Sequence, residues 1–131
     1  MLEIPGELYS SKNHRRPMLR KSKSTGKTKI MNVKSEKAEH HFNDLLWLLQ
    51  DADRRRRWSL MTDGKPYPLR VCFKIYRRTN GRFDYTNILQ NLLDAMVKAR
   101  YLPDDDAQHL IPEVLPYEKD PDNPRTVITV R

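Results

Sequence analysis

The sequence has almost no cysteine and no long hydrophobic run. Cys72 is the only cysteine among 131 residues, which excludes a disulfide framework and a zinc site built on cysteines. No apolar run approaches the roughly 20 residues that a membrane-spanning helix needs, and no secretory signal precedes the first predicted strand. We therefore expect a single cytoplasmic domain with no membrane partner.

Acidic residues are scarce and unevenly distributed. The chain has 25 Lys and Arg against 17 Asp and Glu, a net charge of +8 and a pI of about 9.7. Residues 101–131 carry three basic and seven acidic groups, a net charge of −4, whereas residues 1–100 carry 22 and 10, a net charge of +12. Such a basic body predicts a polyanionic partner, nucleic acid first and anionic lipid second.

The hydrophobic pattern predicts strands alternating with helices. Residues 69–76 alternate apolar and polar side chains and form the clearest strand. Residues 14–29 have too little apolar surface to pack, which predicts a mobile basic loop or hairpin arm. Two principal helices are expected at residues 35–52 and 87–99, the first running out through residues 54–57. Further strands are expected at residues 1–8, 29–33, 109–115 and 125–130. This order predicts one α+β (α/β) domain, residues 1–131, with a small mixed sheet.

Carboxylates cluster around the second predicted helix. Asp84 leads into this helix and Asp104, Asp105 and Asp106 follow it. Asp94 lies ten residues beyond Asp84, about 15 Å along a helix, which is too far to share a metal ion. The seven steps from residue 99 to residue 106 could cover about 23 Å if extended, enough to return to the helix start. We therefore expect Asp106, with Asp105 close behind, to meet Asp84.

Such carboxylates would suit a metal-dependent phosphodiesterase. Mg²⁺, with Mn²⁺ as a substitute, prefers hard oxygen ligands and can generate the hydroxide that attacks a phosphodiester in line. Arg82 and Lys12 are candidates for stabilising the transition state. The alternative is structural: Asp84 would be a helix cap, and Asp104 to Asp106 a solvated turn.

The same segment resembles a known family. The pattern Asp84-x-x-Asn87, a helix ending near residues 93–96, and Asp-Asp-Ala-Gln at residues 105–108 are similar to the RusA family of Holliday junction resolvases of bacteria, phages and prophages. Residues 4–6, 11–13 and 34–37 also look like that family's opening and first helix. Order and spacing match along nearly the whole chain, and residues 82–112 are the most specific part.

The resemblance implies a Mg²⁺-dependent homodimeric endonuclease that nicks four-way DNA junctions symmetrically, without a small-molecule cofactor, in a bacterial cytoplasm. By position, Asp84 and Asp106 match catalytic carboxylates, with Asp105 beside the latter. Asn87 matches the motif asparagine, and Asp94 matches an acidic position within the helix.

Two positions depart from the family pattern. Thr86 replaces an aspartate and Gln90 replaces a catalytic lysine, so the site loses one negative and one positive charge. The Thr86 hydroxyl could still coordinate the metal or hold a metal-bound water, and Lys12 could supply the missing positive charge. Two alternatives stay open: a dimer that binds junctions without cutting them, and a small RNA-binding or RNA-cleaving protein.

DNA binding would depend mainly on phosphate contacts and fall steeply with salt. The expected DNA-binding residues lie in the basic arm and beside Asp84: Lys12, Asn13, Arg15, Arg16, Arg77, Arg78 and Arg82. Arg54 to Arg57 form a further cluster, which is either solvated surface or a DNA contact. None of the four histidines has the spacing of a metal ligand, and none is assigned a role.

Overall fold

The computed structural model describes residues 1–9, 15–21, 28–34 and 36–131, and for residues 15–21, 28–34 and 36 it describes the backbone alone. The described strands are β1 (Leu2–Pro5), β2 (Arg15–Lys21), β3 (Thr28–Lys34), β4 (Leu69–Arg77), β5 (Leu110–Val114), β6 (Glu118–Lys119) and β7 (Arg125–Val130). The described helices are α1 (Glu36–Leu49), α2 (Ala52–Thr62) and α3 (Tyr85–Lys98).

Five of these strands form one mixed sheet in the order β1-β7-β4-β5, with β6 paired to the end of β4. Strands β1 and β4 pair with β7 antiparallel, whereas β4 and β5 run parallel. Parallel neighbours need a crossover connection, and α3 provides it. The predicted small α+β domain with a mixed sheet is therefore confirmed.

The core lies between the sheet and the helices. Strand β4 alternates as predicted, and Val71, Phe73 and Ile75 are at most 1% exposed. On α3, Leu92 and Met96 are fully buried, as expected for residues four apart on one helix face. None of the three described helices is long and apolar enough to cross a membrane.

The first predicted helix is wrong at its end, because the structure divides it into α1 and α2. Asp51 has an extended backbone (φ −57°, ψ 130°) and its carboxylate accepts from the Arg54 amide at 3.1 Å. This is an N-cap, which satisfies an amide that a continuous helix would have bonded otherwise. Arg54 to Arg57 therefore lie in the first half of a new helix instead of at the end of the old one.

The basic arm is a hairpin where the structure describes it. Strands β2 and β3 form a separate two-stranded antiparallel sheet, from Arg15 opposite Lys34 to Lys21 opposite Thr28. Of the two forms that the composition allowed, a loop or a hairpin arm, these residues adopt the hairpin. Its expected mobility stays a prediction.

Candidate functional site

Asp84 stands at the N-cap position of α3 without capping it. Its backbone is extended (φ −111°, ψ 128°), and its side chain makes no cap hydrogen bond. Instead, Asn87 Nδ2 donates to Asp84 Oδ2 at 3.1 Å. Asp84 is exposed, so its other carboxylate oxygen is open to solvent. The Asp84 carboxylate therefore does not cap the helix, as the structural alternative would require. Its hydrogen-bond partner is Asn87, the asparagine of the sequence motif.

An aromatic cluster positions the start of α3. The Tyr85 hydroxyl accepts from the Tyr117 amide at 2.9 Å, and the Phe83 ring packs edge-on against both tyrosines at about 5 Å. Tyr117 follows β5, so this cluster ties the beginning of α3 to the carboxyl end of the sheet. Because Asp84 lies between Phe83 and Tyr85 in the sequence, these contacts also fix its backbone near the end of β5.

The three arginines predicted beside Asp84 divide into two kinds. Arg77 lies over the Phe83 ring at 4.2 Å and donates from Nη1 to the Gly81 carbonyl at 2.9 Å. It therefore shapes the loop that leads to Asp84. Arg78 and Arg82 are exposed, and neither guanidinium forms an ion pair with another described residue. Both are available to a phosphate.

The acidic segment after α3 folds against the last turns of that helix. The Asp105 amide donates to Asp104 Oδ1 at 2.8 Å. Burial raises the pKa of the Asp105 carboxyl above its usual range, and the neighbouring carboxyls of Asp104 and Asp94 raise it further. Asp105 is thus a partly buried carboxylate whose ionised form is disfavoured by burial and by two neighbouring acidic groups.

Asp106 has a different partner. Its Oδ1 lies 2.6 Å from His109 Nδ1, and its backbone carbonyl accepts from the amides of His109 and Leu110 at 3.1 and 3.0 Å. Asp106 therefore anchors the turn into β5. One of its carboxylate oxygens is already engaged by a histidine that the sequence pattern left without a role.

The structure does not bring Asp84 and Asp106 together. Leu110 pairs with Leu69 at the start of β4, and Glu118 pairs with Tyr76 near its end. Seven residues of strand span about 23 Å. The Leu110 amide donates to the Asp106 carbonyl, which ties Asp106 to the first pair. Asp84 precedes Tyr85, whose hydroxyl accepts from the amide of Tyr117, the residue before Glu118 of the second pair. The charge of Asp94, about one turn from the end of α3, acts on Asp105, and Asp106 lies at the opposite end of β4 from Asp84.

Asp94 is the acidic residue that distance reasoning set aside. Its separation from Asp84, about 15 Å along the helix, excludes a shared ion as predicted. However, its charge acts on Asp105, and its Oδ1 accepts from Gln90 Nε2 at 2.8 Å. Thr86, Gln90 and Asp94 are all exposed and succeed one another by four residues. They form a polar face of α3 that runs from Asp84 toward Asp105.

The Arg54 to Arg57 cluster divides into two arginines that bind neighbouring elements and two that lie on the surface. Arg54 Nε donates to the Glu3 carbonyl at 3.0 Å, and Arg55 Nη2 donates to the Ala99 carbonyl at the end of α3 at 2.7 Å. Arg56 and Arg57 are exposed and pair with Asp53 at 2.7 and 2.8 Å. These hydrogen bonds lower the pKa of Asp53 to about 2. Two of the four arginines therefore fasten α2 to its neighbours.

The metal-ligand set is not preassembled in the part of the chain that the structure describes. Within those residues no group of three or more His, Cys, Asp or Glu side chains could hold a metal ion. Mg²⁺ is commonly bound through one or two carboxylates together with substrate phosphates. The paired carboxylates near Asp105 suit this mode in charge and in ligand type.

Other predicted site residues lie outside these observations. Lys12 and Asn13 are not among the described residues, and Arg15 and Arg16 are described by backbone only, in β2. Their expected roles in catalysis and DNA binding stay predictions.

No protein-family model matches the chain, and no curated protein matches it significantly. The function is therefore inferred from the residues and their geometry.

Proposed function

We propose that the protein is a Mg²⁺-dependent endodeoxyribonuclease that resolves Holliday junctions and other branched DNA by symmetric nicking as a homodimer. The observation that carries the proposal is Asp105, a half-buried carboxylate next to Asp104 whose pKa is raised by burial and by the charges of Asp104 and Asp94, in a protein of net charge +8. The resemblance of residues 82–112 to RusA resolvases supports the same activity.

The residues near Asp105 fit Mg²⁺ by their chemistry. They offer hard carboxylate oxygens, and a divalent cation would relieve the repulsion that raises the pKa of Asp105. When bound, the ion supplies a nucleophile at neutral pH and neutralises charge on the leaving oxygen. Because the described carboxylates do not form a closed set of ligands, a DNA phosphate would complete the coordination, and Mg²⁺ affinity should increase when DNA is present.

The other residues of α3 would position the substrate. Arg78 and Arg82 are exposed in the segment between β4 and Asp84 and would bind phosphates at the start of the helix. Asn87 holds one oxygen of Asp84 and would leave the other available to a water molecule at the bound DNA. Asp106, held by His109, would fix the turn that carries Asp105.

The test is cleavage of a labelled four-way junction with Mg²⁺, beside a linear duplex. We expect paired symmetric nicks that need the metal and that are lost in Asp84→Asn, Asp105→Asn and Asp106→Asn, while junction binding is retained. A substitution that leaves the cleavage rate at the wild-type value would remove that residue from the site. Asp122→Asn, an exposed carboxylate far along the chain, is the matched control.

A second candidate is a junction-binding protein that does not cleave. It is favoured by a specific observation: Gln90, at the position of the family's lysine, donates a hydrogen bond to Asp94 and brings no positive charge to the site. Tight junction binding without nicking in either Mg²⁺ or Mn²⁺ would favour this candidate. Competition by structured RNA in the same assay would identify an RNA-binding protein instead.

A further inference from the structure

The β2–β3 hairpin is a ribbon of basic residues paired with basic residues. Its two seven-residue strands contain six Lys and Arg and no Asp or Glu. Arg15 stands directly opposite Lys34, and Arg20 directly opposite Lys29. Directly opposed like charges destabilise an antiparallel pair, and a two-stranded hairpin is only marginally stable by itself. This register is therefore costly in water and becomes favourable against a polyanion.

The register also distributes the charge over both faces of the ribbon. Since residues alternate between faces with period two, positions 15, 21 and 34 share one face and positions 16, 20 and 29 share the other. Each face thus has three basic positions. If the ribbon lay flat on a surface, only the basic positions of one face would meet that surface. Between two rows of phosphates, the basic positions of both faces would meet phosphates.

The dimensions suit the major groove of duplex DNA. That groove is about 12 Å wide and admits a two-stranded β-ribbon, whereas the minor groove is only about 6 Å wide. Seven antiparallel residues extend about 24 Å, which corresponds to about seven base pairs at about 3.4 Å each. The basic pairs at the two ends of the ribbon would then reach phosphates on both sides of the groove.

We propose that the β2–β3 hairpin binds in the major groove of a duplex arm, where its opposed basic pairs contact the phosphates of the two strands. This inference deepens the proposed function, since it names how the enzyme would hold its DNA. It concerns binding alone and does not depend on cleavage.

The test is the salt dependence of binding to a linear duplex in EDTA, so that no cleavage occurs. Each lost phosphate contact lowers the magnitude of the negative slope of log K against log salt by about 0.9. Arg20→Gln with Lys29→Gln should therefore make the slope less negative by about 2. The matched control is Arg56→Gln with Arg57→Gln, which removes the same charge from exposed residues of α2. In this control variant the slope of log K against log salt should change by less than about 0.5.

A chemical footprint identifies the groove. Guanine N7 faces the major groove and adenine N3 the minor groove, so dimethyl sulfate should show protection of guanine N7 over about seven base pairs. This protection should be lost in the Arg20 and Lys29 variant. Equal slopes for the two double variants, or protection confined to adenine N3, would overturn the inference.

Folding and function are separated by two further measurements. Arg15→Gln with Lys34→Gln removes the other opposed pair and should reproduce the loss of slope, so a local folding defect in one variant does not decide the result. A protein that shows the footprint but never nicks a junction in Mg²⁺ would refute the nuclease and support the ribbon. If the protein nicks junctions in Mg²⁺ but the hairpin variants keep the wild-type slope of log K against log salt, the nuclease would be supported and the role of the hairpin refuted.

Discussion

Thr126→Val tests whether the core contains an uncompensated polar group. Thr126 lies in β7 between Ile4 and Ile75, is 0% exposed, and its hydroxyl has no hydrogen-bond partner among the described residues. Leaving such a group unsatisfied costs about 1–3 kcal/mol. Valine has nearly the same shape and no hydroxyl, so the substitution should increase the free energy of unfolding by about 1–3 kcal/mol.

The assay is urea unfolding followed by circular dichroism, together with thermal melting. For a domain of this size, each kcal/mol raises Tm by about 3–5 °C. The matched control is Thr129→Val, which makes the same chemical change in the same strand at a half-buried position and should change the free energy of unfolding by less than about 0.5 kcal/mol. If Thr126→Val lowers stability, or if the two variants behave alike, the hydroxyl is satisfied and the reasoning is wrong.

Three further predictions concern charges. Asp105→Asn should raise Tm at pH 7 and have little effect near pH 3, because a carboxyl whose pKa is raised by folding destabilises the fold only when ionised; melts at the two pH values check this. Asp53 should behave oppositely, since its pKa is lowered from 3.8 to about 2. Its contribution to the stability of the fold is present above pH 3.8 and is lost as the pH falls toward 2. Carbon-detected NMR titration measures this pKa, and an unshifted midpoint would contradict the pairing with Arg56 and Arg57. Thr86→Asp should increase cleavage or Mg²⁺ affinity, because it adds a carboxylate to the exposed face of α3; unchanged titration calorimetry and unchanged rates would place Thr86 outside the site.

The elements that periodicity defines were predictable. Strand β4 alternates apolar and polar residues except at the buried Cys72, and α3 repeats apolar residues every three to four positions. Both therefore appear within two residues of the expected bounds. The break between α1 and α2 was missed because an apolar period continues through it. The start of α2 was indicated by Asp51, an N-cap residue, and by Asp53 in the first turn. Both are polar helix-start residues, which an analysis of hydrophobic periodicity does not detect.

Charge clusters were harder to interpret, because a run of like residues does not show which of them point inward. Arg54 and Arg55 hydrogen-bond to carbonyls of β1 and α3, while Arg56 and Arg57 remain on the surface. Similarly, the influence of the Asp94 charge on Asp105 depends on how the chain turns after α3. That turn is set by tertiary packing of Tyr101, whose hydroxyl reaches the Leu49 carbonyl at 2.5 Å.

The two ends of α3 carry different parts of what a phosphodiesterase needs. Arg78 and Arg82, whose guanidinium groups form no ion pair with another described residue, lie in the loop that leads to Asp84, whereas the repulsion that a cation would relieve is at the Asp105 end. A helix of 14 residues separates them by about 21 Å, or about six base pairs of duplex. Under the proposed function, DNA would therefore lie along the polar face formed by Thr86, Gln90 and Asp94. If so, Asp84→Asn should impair cleavage without changing Mg²⁺ affinity, and Asp105→Asn should impair both. A loss of Mg²⁺ affinity in Asp84→Asn alone would instead locate the ion at the start of the helix.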